Sequence, residues 1–190
     1  MRRSKIIKDR QEFLSLIPLI QTFPLVHNKL KGDFKELLDM TKLCINGGQK
    51  FEVLGRLCIK NFFAMIEADI HYYNLFDRYE GFDEKDRFID QFKETFKQVA
   101  KTFDAETLQK EYFSTKLQTL KKLKLLRNNL MHPKSLEDIF DPTYDDISDV
   151  ETAFEDYNKF IAGLMSDFFF QYEGDDKLEV YRMLVETTSK

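Results

Sequence analysis

The chain has 190 residues, 43% of them hydrophobic, which suffices for one domain that buries about 70% of its unfolded surface without metals or disulfides. Gly and Pro together make up 11 of 190 residues, about half the usual share, which argues against turn-rich sandwiches, barrels and disordered tails. With 29 basic and 33 acidic side chains the net charge is -4, so a wholesale electrostatic nucleic-acid binder is excluded and any such role must come from a local patch.

At the N-terminus, Arg2, Arg3 and Lys5 resemble the start of an export signal, but Lys8, Asp9, Arg10 and Glu12 interrupt the apolar stretch that should follow. No run of about 18 apolar residues offers a membrane span, and a cytoplasmic location is expected. Residues 1–29 read as an N-terminal extension containing Pro18 and Pro24, and His27 within it has no evident acidic or thiol partner and no assigned role. Apolar residues then recur at three and four residue spacing, the period of helices with one buried face. A first helix is predicted near 33–45, stopping at Gly47 and Gly48. Phe51, Leu54, Cys58, Phe62, Ile66 and Ile70 continue to Phe76 on one stripe and predict a central helix over 51–77, antiparallel to the first. Cys44 and Cys58 lie in these apolar segments and read as free thiols in a reducing compartment.

Asp83 is a candidate N-cap for a helix over 84–103, and Asp104 for another over 105–131, which must end near His132 because Pro133 pushes its predecessor out of the helical region. Thr143 with Asp146 and Ser148 with Glu151 are overlapping capping boxes, one of which starts a last long helix running to about 171. A short helix over 175–188 follows Gly174. Most of the 19 phenylalanines fall on helical stripes and are expected in the core, but Phe168, Phe169 and Phe170 cover about 200° of a helix, so part of the triplet should meet another helix or subunit. The whole chain, 1–190, is therefore predicted to be an all-α single-domain bundle of five to seven helices.

The chemistry on offer is narrow. His71 follows Glu67 by four residues, an ordinary helix contact, and neither the Glu-x-x-His spacing of di-iron bundles nor any zinc spacing is present. Phosphate loops, nucleophile elbows and dinucleotide fingerprints are missing too, so no metal or cofactor is expected. What stands out is Leu126-Arg127-Asn128-Asn129-Leu130-Met131-His132-Pro133. Arginine offers a planar donor fork that suits phosphate, and histidine exchanges a proton near neutral pH. On a regular helix the two would stand about 140° and 7.5 Å apart, and the Pro133 break lets His132 leave that register. From 116 to 134 there are six basic residues and no acidic one (Lys116, Lys121, Lys122, Lys124, Arg127, Lys134), while 137–156 holds nine acidic residues and no basic one. This is the local patch that the composition requires. Arg127 can instead pair with a carboxylate of the acidic segment, with His132 only capping the helix, where positive charge is favoured.

Arg127-Asn128-x3-His132, at the end of a long helix followed by a polar loop and another long helix, resembles the signature of the HEPN superfamily of nucleotide-binding helical domains. The resemblance covers about residues 30–172. It implies a HEPN-like bundle that dimerises with two motifs facing one cleft, and activity as a metal-independent endoribonuclease of a bacterial toxin or antiphage system. In that reading Arg127, Asn128 and His132 are catalytic, and Lys121, Lys122, Lys124 and Lys134 hold RNA. An antitoxin or regulatory protein is a further expected partner. The alternative is a catalytically silent HEPN-like dimer that binds a protein partner or a nucleotide; a helix-turn-helix regulator is disfavoured for want of a compact basic recognition helix.

Overall fold

A computed structural model describes residues 10–170. Within them the chain forms six α-helices and no strand: α1 (Arg10–Asn46), α2 (Glu52–Phe76), α3 (Phe88–Thr102), α4 (Glu106–Thr115), α5 (Leu117–Met131) and α6 (Tyr144–Phe170), with one 3-10 turn at Leu136–Asp138. The expected all-α bundle is what these residues adopt. Residues 1–9, the expected helix over 175–188 and the side chains of Phe168, Phe169 and Phe170 lie outside the described residues.

α1 differs from expectation. The predicted helix over 33–45 begins much earlier, so that residues 10–29, taken as part of an extension, continue it through Pro18 and Pro24. An interior proline costs about 3 kcal/mol, yet the segment stays helical because its inner face is buried. Phe23, 5% exposed, stacks on Tyr72 and meets Tyr73 and Phe76 edge-on, and Phe34 packs 4.4 Å from Phe154. The helix stops as the glycines predict: Gly48 takes a φ of 63°, and Gln49 N–H returns to Cys44 O at 2.8 Å while Gly48 N–H reaches Ile45 O. α2 then runs back against α1 and buries Cys58, Phe62, Ile66, Ile70 and Tyr73 at the centre of the core. Cys58 is a free thiol hydrogen-bonded with Thr41, and Cys44, also free, is half-buried.

Two further boundaries move. Asp83 caps a turn, accepting from Lys85 N–H at 2.9 Å, and α3 starts five residues later behind Arg87. The single helix expected over 105–131 is two. Tyr112 and Leu117 are both buried, but on one continuous helix they would point about 140° apart. A break at Lys116 (φ -114°, ψ -24°) brings both inward. Asp104, expected to cap, instead sits at a φ of 55°, and Ala105 precedes α4. α6 starts on the first of the two capping boxes, with Asp146 accepting from Thr143 N–H and Asp146 N–H reaching Thr143 Oγ1. Its inner face carries Phe154, Tyr157 and Phe160, and Phe160 stacks on Tyr112 at 4.3 Å.

Candidate functional site

α5 is held by Leu117, Leu120, Leu123 and Leu130, all buried. With that face fixed inward, Lys121, Lys124 and Asn128 fall within about 60° of one another on one flank at 100° per residue. Arg127 falls on the inward stripe itself, angularly between Leu120 and Leu123, and is 18% exposed. Its guanidinium reaches across to α2 and pairs with Glu67 at 2.5 Å. The carboxylate thus comes from the central helix and not from the acidic segment. It is also the Glu67 that stood one turn from His71; His71 is exposed and meets Tyr72 edge-on.

His132 closes α5. Its N–H donates to Asn128 O at 3.0 Å, and its backbone (φ -135°, ψ 58°) has left the helix, as the proline requires. Its ring is exposed and has no hydrogen-bond partner among the described residues. Beyond it, Asp138 accepts from Lys134 N–H at 2.7 Å and from Ser135 N–H, and these donors hold its carboxyl below the usual range. Arg127, Asn128 and His132 therefore share one helix end, with Arg127 anchored and His132 open.

The basic and acidic segments lie side by side. Lys122 bonds Asp149 at 2.6 Å, which pushes its ammonium pKa up, and Lys116 pairs with Asp156 at 3.0 Å. Lys121, Lys124 and Lys134 have no carboxylate partner within salt-bridge distance among the described residues, so of the expected RNA-holding lysines it is Lys122 that is engaged. Next to the motif, Val53, Leu57, Leu130, Pro133 and Ile139 line a mostly apolar hollow of about 250 Å³, edged by Lys60 and by Arg56, which is tied to Asp141 at 2.8 Å.

His27 does have an acidic partner, contrary to the sequence reading. Its Nδ1 lies 2.9 Å from Asp69 Oδ1, and Tyr157 O–H donates to Asp69 Oδ2 at 2.7 Å. Asp69 is 1% exposed, so burial together with this carboxylate holds the Tyr157 phenol well above its ordinary pKa. The partner stands 42 residues away in sequence, which is why local inspection missed it. A signal was present: Asp69 sits beside Ile66 and Ile70 on the buried stripe, and a buried carboxylate requires donors. Among the described residues no group of three His, Cys, Asp or Glu side chains could hold a metal ion, and no helix is long and apolar enough to cross a membrane.

No protein-family model, curated protein or solved structure matches the chain.

Proposed function

We propose that the chain is a HEPN-like, metal-independent endoribonuclease that works as a homodimer in a bacterial toxin or antiphage system and is restrained by an antitoxin or regulatory protein. The observation that carries this reading is the pairing, at one helix end, of an anchored Arg127 with an open His132, beside Lys121, Lys124 and Lys134. Cleaving RNA requires a base for the 2′-hydroxyl proton, stabilisation of charge at phosphorus and an acid for the 5′-oxygen. Two copies supply His132 twice, once as base and once as acid. Arg127 stabilises the phosphate, Asn128 orients it by hydrogen bonding, and the lysines hold the strand without reading sequence.

A second reading is favoured by the Arg127–Glu67 pair, which engages Nη2 of the guanidinium that the phosphate needs: a silent dimer of the same fold that binds a protein or nucleotide. Incubation with single-stranded RNA and DNA in excess EDTA separates the two. The enzyme cuts RNA alone and leaves a cyclic phosphate end, and His132→Ala and Arg127→Ala each lose about 10²-fold or more in rate. Absence of cleavage by the wild type selects the silent dimer, and undiminished cleavage by folded His132→Ala removes His132 from the mechanism.

A further inference from the structure

α2 contributes many residues to the core, yet on one of its faces exposed residues recur from its first turn to its last. Val53, Leu57, Ala64, His71 and Leu75 are exposed, Val53 to 61%, and Lys60 and Glu67 stand among them. These residues follow one another at three and four residue intervals and, at 100° per residue, stay within about 80° of each other. That is the spacing of a seam against which a second helix packs. Val53 and Leu57 border the hollow beside Leu130 and Pro133 within the chain, whereas Leu75, at the other end of the stripe, is 38% exposed.

The seam is complementary to itself. When two copies of α2 are laid antiparallel with Ala64 on the twofold axis, residues whose numbers sum to about 128 face one another. Val53 meets Leu75 of the second copy, Leu57 meets His71, and the small Ala64 meets itself, where the helices can approach closely. Lys60 falls opposite Glu67, and the symmetry makes that pair twice. Lys60 has no carboxylate partner among the described residues, and Glu67 is 42% exposed although it holds Arg127. Both lie on the same edge of the seam, the edge along which Leu130 of α5 lines the hollow with Lys60.

We propose that α2 is the interface of a twofold dimer centred on Ala64, and that Lys60 of the second copy draws Glu67 away from Arg127. The inference rests on the homodimer of the proposed function and adds where the copies meet and what meeting does. Glu67 is three residues from Ala64, about 4.5 Å along the helix axis, so the two Arg127 side chains flank the axis on one side of the paired helices. Dimerisation then both assembles the site and frees the arginine for phosphate.

The test uses the full chain carrying Ala64→Cys and Cys44→Ser under mild oxidation with diamide, read by non-reducing electrophoresis. On the twofold axis the two Cα atoms come within the roughly 4.4–6.8 Å that a disulfide spans, so a dimer crosslinked in high yield is expected. Lys35→Cys on α1, also carrying Cys44→Ser, serves as the control and should not crosslink. Lys60→Glu should weaken the dimer at least tenfold by light scattering, and Lys60→Glu with Glu67→Lys should restore it. A monomeric wild type, or a dimer that Ala64→Cys does not crosslink, overturns the inference. RNA cleavage that depends on His132 in a protein that dimerises without the Ala64→Cys crosslink leaves the proposed function standing, whereas a crosslinked dimer without cleavage leaves the interface standing and removes the enzyme.

Discussion

Arg127 of α5 and Glu67 of α2 form an ion pair 60 positions apart in sequence, with the arginine 18% and the glutamate 42% exposed. The candidate site is thus tied to the central helix of the core by one partly exposed contact. Such pairs contribute up to about 1 kcal/mol and are screened by salt. The Arg127→Ala and Glu67→Gln double-mutant cycle, followed by urea unfolding, should therefore give a coupling below about 1 kcal/mol that shrinks at high salt. A coupling several times larger, insensitive to salt, would make Arg127 a structural residue first.

The core triad behaves differently because Asp69 is buried. Tyr157→Phe removes the donor to the buried Asp69 carboxyl and should destabilise by about 1–3 kcal/mol. Combined with Asp69→Asn, its cost should fall short of the sum by about 0.5 kcal/mol or more, since both changes act on one network. Strict additivity in urea unfolding would show that the Tyr157–Asp69 contact contributes nothing of its own.

Burial raises the pKa of Tyr73, Tyr112 and Tyr157 well above the 10.0 of a free phenol, with a nearby carboxylate adding to each. A raised folded-state pKa stabilises below the unfolded value, and that stability is lost as pH climbs past it. Phenolate absorbance from these three of the eight tyrosines should therefore appear only together with loss of helical circular dichroism above about pH 10. Full ionisation of all eight while the helices persist would contradict the buried positions.

The fold was legible where burial is periodic. The stripe from Cys58 to Phe76 locates α2, Gly48 ends α1, and Pro133 ends α5, because each depends on local chemistry. What depends on contacts distant in sequence was not legible. Pro18 and Pro24 hid the first part of α1, whose helicity is maintained by Phe23 against Tyr72 and Tyr73. The break at Lys116 follows from burying both Tyr112 and Leu117. At the site, the sequence placed Arg127 and His132 at one helix end but not the source of the carboxylate, and it passed over His27 because Asp69 lies on another helix.

In the proposed ribonuclease, one catalytic centre needs His132 from both copies. That need is tested most directly by co-refolding wild-type and His132→Ala chains in varied ratio at constant total concentration and measuring RNA cleavage in EDTA. If one histidine is the base and the other the acid, only wild-type pairs are active, and the rate should follow the square of the wild-type fraction. A rate proportional to that fraction, or no cleavage at any ratio, would rule out catalysis by two histidines.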